Sequence, residues 1–164
     1  MSQKTNAARI LDKKGIAYEI IDYEVDEEDL SAVHVAQTLG MDEEEIYKTL
    51  VCVSETGEYL VICLPAPATL DLKALARSAQ CKRCELIPTK ELLKVTGYIR
   101  GGCSPLGMKK HYRTFIDSRA REREYVCVSA GMRGKQIRLA PEKLKEACEA
   151  EWVEAGVHQK EKAV

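Results

Sequence analysis

Apolar positions along the chain follow two spacings, and the switches between them predict the elements. Ala7, Ile10 and Leu11 share one face of a helix over Asn6 to Lys14, closed by Gly15 as C-cap. Tyr18 to Val25 reads as a strand. Helical spacing returns at Val33, Ala36 and Leu39, with Ser31 placed as N-cap and Gly40 as terminator. Ile46 to Ser54 and Tyr59 to Leu64 are almost wholly apolar and are joined by Glu55-Thr56-Gly57-Glu58, which predicts an antiparallel hairpin deep in a sheet. Two further helices are expected, over Leu70 to Ser78 and over Thr89 to Val95, the second stopped by Gly97. A loop punctuated by Gly and Pro runs from Tyr98 to Lys110. Short strands fit Arg113 to Asp117, Glu124 to Val128 and Gln136 to Leu139, and Pro141 opens a last helix to about Ala150. The polar tail from Gln159 to Val164 is expected to fray. Helices before, between and after strands indicate an α+β fold with a mostly antiparallel or mixed sheet. The expected organisation is one domain over residues 1–164, with its core at about 4–150.

Composition changes this picture little. The chain is 45% hydrophobic with a single Phe and a single Trp, so aliphatic side chains must fill the core. Its seven cysteines are odd in number, irregularly spaced and partly inside apolar runs, which suits reduced thiols serving as small apolar residues. The stretch Met1 to Asn6 has no apolar signal-peptide core, and the longest apolar run, Tyr59 to Pro67, is far short of the roughly 20 residues that span a bilayer. A soluble cytoplasmic protein without membrane contact is expected. Charge is unevenly spread: ten acids and no Lys or Arg lie between Asp22 and Glu45, whereas eleven Lys or Arg against three acids lie between Lys94 and Arg138. That polarity suits one face turned to a phosphate backbone and another to solvent. Two solvated faces explain it equally well.

Four places carry candidate chemistry. Lys48 opens the first apolar hairpin strand, where alternation sets it with Leu50 and Cys52 against Tyr47, Thr49, Val51 and Val53. An ammonium there must reach solvent, meet a carboxylate or face a polar ligand, and the first is the commonest outcome. Four glycines between Thr96 and Gly107, with Pro105 stiffening the turn, allow backbone N–H groups to approach an anion or oxyanion, although wide turns also use glycine. The loop matches neither dinucleotide nor P-loop spacing. Ser129-Ala130-Gly131 follows a strand and suits either a pocket rim or a plain turn. Cys81-Lys82-Arg83-Cys84 lacks the second pair a zinc site needs and follows a helix, so no metal is expected. His34, His111 and His158 share no ligand spacing, and no nucleophile–base pattern is legible.

Three stretches taken together resemble the YbaK/EbsC family of aminoacyl-tRNA deacylases, relatives of the editing domain inserted in bacterial prolyl-tRNA synthetase. They are Lys4 to Arg9, Tyr47-Lys48-Thr49-Leu50-Val51, and Thr96 to Lys110 with its Gly-Gly-x-Ser-Pro-Leu-Gly core. Leu70 to Ala76 and Tyr125 to Gly134 extend the likeness. The resemblance implies a curved mixed β-sheet surrounded by helices, with a pocket for the aminoacylated 3′ end of tRNA. It implies hydrolysis of the ester of mischarged tRNA, chiefly Cys-tRNA(Pro) in one branch and alanyl esters in others, with no cofactor and with prolyl-tRNA synthetase as a partner. In the cysteine branch the substrate's own thiol displaces the ribose, consistent with the missing nucleophile. Carried onto this chain, Lys48, Gly101 and Gly102 become catalytic. Tyr23, Thr49, Ser104, Pro105, Ser129 and Gly131 become substrate-binding. Deacylation of alanine or another small amino acid, and a non-catalytic module that binds tRNA or a synthetase through Lys109, Lys110, Arg113, Arg119, Arg121 and Arg123, remain as alternatives. Departures fall at Gln136, where relatives often carry Asp, at Arg138 in place of an acid, and near Ser31, where some relatives carry an aromatic.

Overall fold

The computed structural model describes residues 4–158. Helix α1 (Asn6–Lys14) begins where Thr5 accepts a hydrogen bond from the Ala8 N–H and ends on left-handed Gly15. Helix α2 (Ala32–Leu39) is capped in the same manner by Ser31 and Gly40. The hairpin forms as its pattern predicts, with β2 (Tyr47–Ser54) antiparallel to β3 (Tyr59–Pro65). It sits inside a five-stranded mixed sheet of order β5-β2-β3-β6-β9, where β5 is Cys84–Leu86, β6 is Arg113–Asp117 and β9 is Glu151–Val153. The β3–β6 and β6–β9 pairs are parallel. Strands β1 (Glu19–Asp22), β8 (Lys135–Leu139) and β7 (Val126–Ser129) make a second, antiparallel sheet. A parallel bridge from Ile46 to Cys127 ties it to the entrance of β2. The curved surface expected of the family is therefore two sheets hinged at that bridge.

Side-chain alternation decides which layer each strand face meets. Cys52 on β2, Leu60, Ile62 and Leu64 on β3 and Phe115 on β6 pack against helix α3 (Leu72–Ala79). Their neighbours Tyr47, Cys63 and Ile116 point the other way, into a core closed by Val126, Val128 and Ile137 of the second sheet. Helix α1 and helix α5 (Pro141–Cys148) cover that core through Leu11 and Leu144, both fully buried. Helix α2 lies over the junction of the sheets, with Ala36 packed on Ile46, Ala66 and Cys127. A short helix α4 (Leu92–Thr96) follows a 3-10 turn and stops at Gly97, as expected.

Four strands escape the periodicity, because three-residue strands carry too few positions to show a period. Leu70, expected to be helical, belongs to β4 (Ala68–Leu70), since Asp71 caps α3 by accepting from the Ala74 N–H. β4 pairs with β10 (Gly156–His158), and β5 and β9 are the other two. The last helix ends at Cys148, with Glu149 in the left-handed conformation, rather than near Ala150. Asp117, at the end of β6, fastens this region: its two oxygens accept separately from the Arg119 N–H at 2.9 Å and the Gly156 N–H at 2.8 Å. The tail from Gln159 onward lies outside the described residues.

The separated faces suggested by the charge pattern are not what the fold builds. The acidic and basic segments lie against each other, through Asp22–Lys135 at 2.6 Å, Glu27–Arg133 at 2.8 Å, Asp42–Arg123 at 2.6 Å and Glu45–Arg138 at 2.8 Å. β1 pairs with β8, and this brings the two stretches together. No helix among the described residues is long and apolar enough to cross a membrane.

Candidate active site

At the hinge between the sheets, a cavity of about 280 Å³ opens beneath the N-terminal turn of α2. Its floor is the start of β2, and one wall is the loop from Arg100 to Cys103. The opposite wall is Ser129 and Gln136, which face each other across the β7–β8 ladder. The sequence places a polar group on each wall because every strand that reaches the hinge ends or begins there.

Lys48 is half-buried at this floor. Its Nζ donates to the Ala66 carbonyl at 2.9 Å, and it makes no ion pair with a carboxylate among the described residues. Burial lowers its pKa from the ordinary lysine value. Of the three outcomes open to it, the structure realises a polar cavity. One N–H is engaged and two remain for a ligand. Thr49 lines the same cavity, its hydroxyl 3.8 Å from the Cys63 sulfur. Ser129 is buried at the rim and its Oγ accepts from the Gly131 N–H at 3.1 Å.

The glycine loop divides its roles. Gly101 lines the cavity with φ at +85°, and a side chain there would press on Arg133. Gly102 does not line it: its N–H donates to the Ile99 carbonyl at 2.9 Å, so one of the two expected oxyanion donors is engaged within the turn. A Cβ on Gly102 would lie 3.1 Å from the Met132 backbone, which explains a glycine at that position by packing. Ser104 is fully buried and accepts from the Leu106 N–H, and Pro105 faces a separate cavity near α5. Gly131 packs on the Tyr98 ring. Tyr23 lines a small cavity that adjoins the site through Leu30, Val35 and Gly101. Lys48, Thr49, Gly101 and Ser129 are thus brought together, while Gly102, Ser104, Pro105 and Gly131 support the loops around them.

Sequence reasoning missed Cys103, Gln136 as a wall residue, and the contribution of α2. Cys103 is buried and its thiol is pushed up to about 11 by burial, so it offers the cavity a neutral S–H. Its place two residues after Gly101 was the available signal. For α2 only the apolar stripe was visible. Nothing in that stripe says that its first turn roofs a cavity.

A larger cavity of about 610 Å³ adjoins Tyr47 on the other side. Its lining mixes Glu44, Glu45, Glu122 and Glu124 with three arginines that are all engaged, Arg119 with His158, Arg123 with Asp42 and Arg138 with Glu45. It contains none of the catalytic or substrate-binding candidates, although Arg119 and Arg123 of the alternative tRNA-binding set line it. Size alone does not make it the site. Among the described residues no three His, Cys, Asp or Glu are grouped to hold a metal.

An α+β domain with a lysine-floored, glycine-walled cavity where its two larger sheets meet suits a protein that receives a small anionic or ester group. The family described as the aminoacyl-tRNA editing domain matches residues 26–147, and this chain belongs to that family. It is 44% identical over 140 residues, 85% of each chain, to the Enterococcus faecalis protein named "Putative Cys-tRNA(Pro)/Cys-tRNA(Cys) deacylase EbsC". A solved protein described as a "putative trans-editing enzyme for prolyl tRNA synthetase" shares the fold. It has a TM-score of 0.81 at 21% identity, covering 95% of this chain and 99% of that one. A second solved structure, of a protein described only as hypothetical, matches with a TM-score of 0.83 at 21% identity over 91% of this chain and 97% of that one.

Proposed function

We propose that this chain is an aminoacyl-tRNA deacylase acting in trans on mischarged tRNA, with Cys-tRNA(Pro) as its main substrate. The observation that carries the reading is Lys48: a half-buried ammonium with no carboxylate partner among the described residues, facing a small cavity beside Gly101. Family membership supplies the reaction class, and the E. faecalis relative is named for cysteinyl esters. In the reading, the thiolate of the bound cysteine adds to its own ester carbonyl. The carbon–oxygen bond to the ribose breaks, the ribose hydroxyl leaves with a proton, and water then opens the resulting cyclic thioester. No protein nucleophile is required. Lys48 stabilises the negative charge that develops on the carbonyl oxygen, helped by the Gly101 N–H, and does so in a site partly closed to water. Thr49 and Ser129 orient the aminoacyl group, and Tyr23 closes the side of the site toward its neighbouring cavity. The whole chain works as one domain in the cytoplasm, where charged tRNA is found. Since the basic segment is largely paired internally, prolyl-tRNA synthetase is a reasonable carrier of tRNA identity.

The test is deacylation of Cys-tRNA(Pro) and Ala-tRNA(Pro) by wild type and Lys48→Ala. Loss of the cysteinyl ester alone, with a decrease of about 10²–10³ in kcat for the variant, is expected. A Lys48→Ala protein with full activity removes Lys48 from the mechanism. Equal loss of the alanyl ester, which has no thiol, would require attack by water instead.

A further inference from the structure

Gln136 stands out among the buried polar groups. It is 5% exposed, lies on the cavity wall, and its Oε1 is buried with no hydrogen-bond partner. Apart from this oxygen, only Arg113 Nε is a buried side-chain nitrogen or oxygen without a partner among the described residues. Leaving a buried acceptor unmet is costly, so an unpaired carboxamide in a cavity wall points to a ligand as its partner. A half-turn of the amide exchanges its oxygen and NH₂, so either can be presented to that ligand.

The charges around the cavity narrow the choice of donor. β2 contributes Lys48 and Thr49, while the Tyr47 phenol lies toward Glu44, Arg119 and Arg123 on the other side, and the glycine loop contributes Arg100 and the Cys103 thiol. The first turn of α2 contributes only Ser31, Ala32, Val33 and Val35, and β7 only Ser129. None of the lining residues is an Asp or Glu. The carboxylates just outside are already engaged: Glu45 pairs with Arg138, and Asp29 accepts from the Ser31 N–H at 3.0 Å and lies 3.7 Å from His34, with Arg100 near enough to help lower its pKa. A cavity whose only charges are cations disfavours a bound ammonium.

We propose that this site takes the α-amino group of the aminoacyl ester in its uncharged form, as a hydrogen-bond donor to the Gln136 carboxamide. The inference rests on the deacylase reading and adds to it a selection on the protonation state of the substrate. Gln136 then acts as a specificity residue: it reads the amine by a neutral hydrogen bond where a carboxylate would read an ammonium by charge. The amine loses its proton to solvent before binding, so no group of the protein need accept it. Lys48 and Arg100 raise the cost of the protonated form.

Two stable analogues isolate the effect. Both are 3′-amino-3′-deoxyadenosine in amide linkage, one to L-cysteine and the other to 3-mercaptopropionic acid. They share the thiol and the adenosine and differ in the α-amino group; because that group also acidifies the cysteinyl thiol, a second pair, the L-alanyl and propionyl amides, carries the same comparison with no thiol to titrate. An α-amino group titrates at about 7.7–8.0. The wild-type ratio in favour of the cysteinyl analogue is therefore expected to rise by more than about tenfold between about pH 6 and about pH 8.5. Gln136→Met, close in shape, should flatten the ratio, and Gln136→Glu should make it fall with rising pH. A wild-type ratio that is flat or falls with pH, or that Gln136→Met leaves unchanged, overturns the proposal. Turnover of Cys-tRNA(Pro) by the same preparations keeps the two readings apart. Active enzyme with the wrong ratio sinks the role of Gln136 alone, whereas no turnover by the wild type sinks the deacylase reading.

Discussion

Burial governs what the seven cysteines of this chain can do. All seven are free thiols, and six are buried. Burial pushes Cys52, Cys63 and Cys127 up to about 12 and Cys103 up to about 11, so at neutral pH almost none of each is thiolate. Cys81 alone is partly exposed. Brief alkylation of the native protein at neutral pH should therefore label Cys81 only, with the other six appearing after unfolding. Mass spectrometry of the digests decides it, and rapid labelling of Cys103 would mean that the cavity is more open, or its thiol more acidic, than described. On the proposed reaction, inert thiols beside the site also avoid competing exchange with the cysteinyl ester. At this scale Lys48 was legible because a charge opened an apolar run. Gln136 was legible only as a departure from the Asp of relatives; its place on the cavity wall was not, because that depends on which strand lies beside it.

Among the elements, the capped helices were readable and the three-residue strands were not. Thr5, Ser31, Gly15 and Gly40 are local signals, and each acts within four residues of itself. β4, β9 and β10 depend on distant partners, and Asp117 is the device that holds two of those distant pieces in place. Its carboxylate offers one oxygen to the Arg119 N–H and the other to the Gly156 N–H. Asn at this position has one acceptor and would turn an NH₂ toward a donor. Asp117→Asn is expected to cost about 1–3 kcal/mol. Chemical denaturation reads that figure, and an unchanged midpoint would show that β10 is not anchored through this residue. Arg138 ties another junction, stacking 4.5 Å over the Tyr125 ring while its Nε donates to Glu45 at 2.8 Å. The Glu45 side chain is only 15% exposed, so Arg138→Met should destabilise the protein by about 1–2 kcal/mol, more than removal of a surface pair. Loss of less than a few tenths in the same assay would demote the pair to surface decoration.

Over the whole molecule, the net charge of −1 and the internal pairing of the acidic and basic segments limit how strongly the protein grips a phosphate backbone. Each released counterion contributes about 0.9 to the salt slope on duplex and about 0.7 on single strands. We expect the logarithm of tRNA affinity to fall with the logarithm of salt at a slope no steeper than about −3, as measured by fluorescence anisotropy. A steep slope would restore the separate basic face suggested by the charge pattern. That pattern is a case in which composition along the chain misled, since it cannot say which segments a fold lays side by side.

The walls of the cavity come from residues 30–50, 100–103 and 129–136, and the central sheet joins Leu60–Cys63 to Arg113–Ile116 in parallel. Neither can exist until most of the chain is available, and parallel pairing across some fifty residues closes a costly loop before it returns any contact. Refolding should therefore pass through a stage with α1, α2 and the β2–β3 hairpin formed and no competent cavity, and ligand binding should recover after helical circular dichroism does. Activity is thus among the last properties this chain acquires, and a protein caught midway would be structured but unable to act on any ester.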